Sequence, residues 1–144
     1  MMLSFRGPDV DPAELAAAFD LAYDERFAHR HGDTFDVDGV RHERVGGFVN
    51  LRLQPPASDD FDTLACLFLD RVEARLDRLR SSLERGWTLQ LTILTVTDGK
   101  FGGARASSDV MRRIAALGVP TEWKTAFSTS DDSFDSELIR RVVH

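Results

Sequence analysis

Residues Phe61 to Phe127 read FDTLACLFLDRVEARLDRLRSSLERGWTLQLTILTVTDGKFGGARASSDVMRRIAALGVPTEWKTAF, and the changes of period within this stretch decide the fold class. Leu64, Phe68, Val72, Leu76, Leu79 and Leu83 recur at steps of four and three, which predicts one apolar stripe along a single long helix. Asp59 and Asp60 place negative charge at its positive end, and Gly86 stops it. Arg71, Arg75, Arg78 and Arg80 mix with Asp70, Glu73, Asp77 and Glu84 on the remaining sides, as on a solvated face. From Trp87 the period drops to two. Trp87, Leu89, Leu91 and Ile93 share one face of a strand, and Thr88, Gln90, Thr92 and Leu94 share the other. After a glycine-rich loop, Ser107 or Ser108 caps a second helix with Val110, Met111, Ile114 and Leu117 inward. Thr121 to Phe127 is the last strand, with Trp123, Thr125 and Phe127 on one side.

Upstream, Leu3 to Phe5 reads as a first strand, turned by Gly7-Pro8-Asp9. Asp11-Pro12-Ala13-Glu14 is a strong helix start: Asp11 caps the free N–H groups, Pro12 suits the first helical position, and Glu14 completes a capping box. Leu15, Ala18, Phe19 and Ala22 are its buried face. Asp38-Gly39 between Phe35-Asp36-Val37 and Val40-Arg41-His42 signals a tight hairpin. Phe48, Asn50 and Arg52 then alternate with Val49, Leu51 and Leu53 in a further strand, which Pro55-Pro56 ends. The pattern predicts an α+β two-layer sandwich, a mainly antiparallel sheet with helices on one face, loosely ferredoxin-like in order. Residues 1–127 form one domain on this reading, and residues 128–144 an acidic linker with a short amphipathic segment, Leu138 to Val143.

At 144 residues, 42% of them apolar, the chain has enough material for a core without metal or disulfide. Cys66 is the only cysteine and sits in a helical apolar pattern, which predicts an inert buried thiol and suits a reducing cytosol. Met1 to Gly7 shows no export signal, and no apolar run is long enough to span a bilayer, so a cytoplasmic location without membrane partner is expected. The formal charge of −6 disfavours nucleic acid and anionic lipid, and suits a basic partner.

Four motifs, Phe5-Arg6-Gly7 before Asp11-Pro12-Ala13-Glu14-Leu15, His29-Arg30-His31-Gly32-Asp33, Gly86-Trp87-Thr88-Leu89 and Ala116-Leu117-Gly118-Val119, occur in an order that resembles a bacterial domain family of unknown function. The resemblance covers most of Leu3 to Phe127. It implies a small α/β fold and a bacterial origin, and assigns no activity or residue role.

No catalytic signature assembles. Gly99-Lys100-Phe101-Gly102-Gly103 lacks the Gly-Lys-Ser/Thr of a phosphate-binding loop, no serine stands in a Gly-x-Ser-x-Gly elbow, and Asp131, Asp132 and Asp135 lack the glycine and glutamate of a calcium loop. The leading expectation is therefore a non-enzymatic protein-interaction module without cofactor, binding through Thr88, Gln90, Thr92 and Phe101, with a basic toxin bound in the manner of immunity proteins as one form of it. The alternative is a metal-dependent hydrolase holding zinc through His29, His31 and His42, with Asp33 or Glu43 nearby. A third expectation is a homo-oligomer assembled through the Leu138–Val143 tail.

Overall fold

A computed structural model of the chain describes residues 1–53, 60–97 and 105–127, with the side chains of 96, 97, 126 and 127 left aside. Phe101 and the segment from Ser128 to His144, including the tail, lie outside the described residues. The elements run β1 (Met2–Gly7), α1 (Pro12–Phe19), a 3-10 turn (Glu25–Phe27), β2 (Thr34–Val37), β3 (Val40–Glu43), β4 (Gly47–Arg52), α2 (Phe61–Glu73), α3 (Leu76–Glu84), β5 (Thr88–Thr97), α4 (Ser108–Ala116) and β6 (Thr121–Phe127).

The main sheet has the order β4-β1-β5-β6. β1 pairs antiparallel with both β4 and β5, while β6 lies parallel to β5. The fold is thus α+β with a mixed sheet. Its closing β5–α4–β6 unit places two parallel strands side by side, where a ferredoxin-like split unit would put another strand between them. β2 and β3 form a separate ribbon, turned at Asp38-Gly39 with both residues at positive φ (51° and 80°), as a two-residue hairpin requires.

Alternation decides which face is sealed. Leu3 and Phe5 of β1, Val49 and Leu51 of β4, and Leu89, Leu91 and Ile93 of β5 are buried in one cluster with Leu15, Phe19, Phe68, Leu69, Val72, Leu79 and Ile114 from the helices. Trp87 belongs to the same cluster. Its ring meets Phe5 edge-on at 6.4 Å, and its Nε1 donates to Asp9 Oδ1 at 2.7 Å. The Trp87 ring lies against Gly7, and the Val10 backbone lies against Gly47; a Cβ at Gly47 would stand 2.5 Å from the Val10 carbonyl oxygen. Gly7 and Gly47 are paired across β1 and β4.

The expected single long helix is broken. At Arg75 the backbone leaves helical values (φ −133°, ψ 33°), and the side chain turns aside, its Nε donating to the Ala18 carbonyl at 3.0 Å. The rod becomes α2 and α3, and the stripe changes with it. Phe68, Val72 and Leu79 stay buried, Ala65 and Leu69 join them, and Leu83 is exposed. Met111, expected inward on α4, is also exposed, while Val110 and Ile114 are buried. Cys66 is half-buried at the edge of the cluster, where full burial was expected.

Local chemistry fixes the helix starts as expected. Asp11 Oδ1 accepts from the Ala13 and Glu14 amides, at 3.0 and 3.1 Å, and Ser107 Oγ from the Val110 amide at 3.3 Å. Arg113 of α4 forks onto Glu73 of α2 (2.9 and 2.8 Å) and also reaches Asp70 at 2.6 Å, which raises its pKa and ties the two helices.

Asp24 supplies an acid-sensitive cap. Its carboxylate accepts from the Arg26 side chain, which lowers its pKa to about 2, and also from the Arg26 amide at 3.0 Å. Because the folded value lies below the ordinary 3.8, its contribution is complete above about pH 4. That contribution fades as pH falls toward 2, and Asp24→Asn is expected to flatten this part of the stability–pH curve. Urea unfolding at pH 7, 4 and 3 in low salt measures it.

Candidate functional site on the open face of the sheet

Among the described residues, the second face of the sheet carries no helix. The register sets its side chains in rows across the strands. Arg6 of β1 stands opposite Phe48 of β4 on one side and Thr88 of β5 on the other, and His29 pairs with Phe48 beyond the edge of β4. The first row therefore reads His29–Phe48–Arg6–Thr88. Ser4 stands between Asn50 and Gln90 in the second, and Met2 between Arg52 and Thr92 in the third, which Glu122 of β6 extends. Directly opposed side chains on one face of a sheet lie about 4.5–5.5 Å apart at Cβ, so each row is a line of contacts.

These rows surround a shallow depression of about 240 Å³, with Arg6, Phe48, Gln90, Thr92, Glu122 and Lys124 on its walls and floor. Most of its polar groups are held. Ser4 Oγ donates to Asn50 Oδ1 at 2.6 Å, Gln90 Nε2 donates to Glu122 Oε2 at 2.8 Å, and Lys124 Nζ lies 3.1 Å from the same oxygen. Thr88 is exposed and Gln90 half-buried, whereas Thr92, expected on a wet face, is only 8% exposed and forms part of the floor.

At the end of the first row the ring of Phe48 has a charged and an imidazole neighbour. The Arg6 guanidinium carbon lies 5.4 Å from its centroid, and the His29 ring centroid 5.8 Å away. The position of His29 comes from paired backbone bonds: its amide donates to Phe48 O at 3.0 Å and its carbonyl oxygen accepts from the Phe48 amide at 2.8 Å. Just outside, Arg44 stacks on Phe35 at 3.9 Å, and Phe35 in turn stacks on His42 at 5.5 Å. Burial, first, and then the charge of Arg44 hold the His29 pKa below the ordinary imidazole value, with Arg6 adding to the push and Asp33 opposing it.

The histidines are placed separately. His29 lies against Phe48, His42 faces Phe35 across the hairpin, and His31 sits in the exposed turn between them. Among the described residues no three His, Cys, Asp or Glu side chains gather closely enough to hold a metal ion. Nor does any described helix have the length and apolarity to cross a membrane.

A second depression, of about 350 Å³, lies between α1, α2 and the end of β4. Its two charged groups satisfy each other: Arg71 Nη1 donates to the Asp20 carbonyl at 2.7 Å and Nε faces Asp20 Oδ2 at 3.4 Å. What remains of its lining is chiefly alanine and leucine. It presents no convergent polar groups, and the open face does.

The chain matches no protein-family model, no curated protein and no solved structure. The resemblance carried by the order of four motifs therefore transfers no chemistry to these residues.

Sequence reasoning singled out Thr88, Gln90 and Thr92 and passed over Arg6, Phe48 and Asn50. The signal was present in β4, where Phe48 shares the polar alternation phase with Asn50 and Arg52. A phenylalanine in that phase needs a partner on the open side.

Proposed function

We propose that this domain is a non-enzymatic protein-interaction module that engages a partner protein through the open face of its four-stranded sheet. The observation that supports this most is the contrast between the two faces. One is sealed by four helices; the other sets out hydrogen-bonding side chains and an aromatic ring in rows from four strands, around an open depression of about 240 Å³. A surface of that shape suits contact with another surface.

Its charge also bears on the partner. The open face carries Arg6 and Lys124, and the Glu122 carboxylate is held by Gln90 and Lys124. The chain's negative balance is thus not presented there. A basic toxin would have to find its carboxylates elsewhere, and a partner with acidic side chains fits this face better.

The test is photo-crosslinking in the cells that make the protein, with a benzophenone amino acid at Thr88 compared with Arg80 on the exposed side of α3. A discrete adduct is expected from Thr88 and not from Arg80. Equal labelling from both positions, or none from Thr88, overturns the reading.

A further inference from the structure

We propose that Arg6 and Arg44, steadied by Phe48 and Phe35 and flanking His29, form an anion subsite that takes a carboxylate side chain from an acidic segment of the partner. The inference rests on the protein-binding reading above and names the chemistry of one part of that surface. Both guanidiniums lie over aromatic rings, Arg6 at 5.4 Å from the Phe48 centroid and Arg44 at 3.9 Å from that of Phe35, contacts that help to hold them in place. Neither makes an ion pair among the described residues, whereas Arg26, Arg30, Arg71, Arg78, Arg85, Arg112 and Arg113 all do. An arginine held in place and left without a counter-charge is poised for bidentate capture of a carboxylate.

Arg6 and His29 each lie against the Phe48 ring, and the backbone of Arg44 is bonded to Gly32 and Asp33 in the turn that follows His29, so elements far apart in the chain bring the three to the same end of the sheet. With its pKa depressed, the imidazole is neutral at pH 7 and offers a hydrogen-bonding group that adds no charge. The neighbourhood limits the size of the anion. Asp33, also close to His29, and Asp36 and Glu43 on the hairpin would repel an extended polyphosphate, as would the net charge of −6. One or two carboxylates are the load this site suits.

The test uses the full chain and a hexaglutamate peptide, followed by NMR on the arginine Nε–H and histidine ring signals. Peptide is expected to shift Arg6 and Arg44 selectively and to raise the pKa of His29, since an added anion favours the imidazolium. Arg6→Gln and Arg44→Gln should each weaken binding roughly tenfold. Arg6→Lys, which keeps the charge and loses the fork, should fall between, and Arg80→Gln should change nothing. Unshifted Arg6 and Arg44 signals, or equal affinity in Arg6→Gln, overturn the subsite. So does tighter binding of inorganic phosphate or a single-stranded oligonucleotide than of the peptide. If the Thr88 crosslink survives undiminished in the Arg6→Gln/Arg44→Gln double variant, the subsite fails while the protein-binding reading stands.

Discussion

Replacing Trp87 with alanine is expected to cost about 3–5 kcal/mol and to lower the midpoint of thermal unfolding by on the order of 10–15 °C. The indole is 5% exposed, and four different contacts end on it: the edge of Phe5, the Asp9 carboxylate on its N–H, the Arg85 guanidinium at 4.5 Å, and the backbone of Gly7. Removing it opens a cavity at the corner where β1 turns toward α1, and leaves Asp9 without its indole donor. The same geometry makes a sharper forecast. Gly7→Ala drives a methyl into that ring, so its cost should be large in the native background and should shrink by on the order of 1–3 kcal/mol once Trp87 is alanine. Urea denaturation followed by far-ultraviolet circular dichroism gives all four corners of the cycle; additive costs would mean that the ring and the glycine do not press on each other.

Gly47→Ala is expected to be comparably harmful for a different reason. The obstacle is backbone: the new Cβ would lie 2.5 Å from the Val10 carbonyl oxygen and 2.8 Å from the Val10 Cβ. A side chain can rotate away, but a carbonyl between β1 and α1 cannot move without shifting the Asp11 cap. The cost should reach or pass the upper end of the roughly 1–3 kcal/mol typical of overpacking. Val10→Ala should not relieve it, because the oxygen remains. Stability of Gly47→Ala within 0.5 kcal/mol of the native chain, a margin typical of about neutral surface changes, would mean that the β1–α1 corner is loose.

The sequence is most legible where one local interaction decides the geometry. Asp11-Pro12 starts a helix because the cap lies two and three residues from the amides it accepts, and Asp38-Gly39 turns a hairpin because those residue types tolerate positive φ. The alternation from Trp87 onward likewise identified the sealed and open faces of β5. What could not be read was decided at a distance. Nothing around Arg75 announces a helix break; the side chain leaves the helix for a carbonyl 57 positions earlier in the chain. The row His29–Phe48–Arg6–Thr88 draws on four separated segments, and no short window contains more than one of them. The histidines illustrate the same limit. Their spacing suggested a shared ligand, yet one belongs to the sheet edge, one to a turn and one to the hairpin. The sheet order, too, depends on β1 taking both neighbours, which no local pattern encodes.

That central place of β1 has a consequence for how the chain is made. The strand emerges from the ribosome before either partner exists, and its two flanks, β4 and β5, are synthesised about 45 and 85 positions later. Until then Leu3 and Phe5 lack the strands that flank them, so the nascent chain carries an apolar strand with unpaired edges while the residues in between are made. Slowing translation before residue 97 would prolong that exposure and raise the demand for chaperones, whereas a pause beyond it would come after both neighbours of β1 had been made.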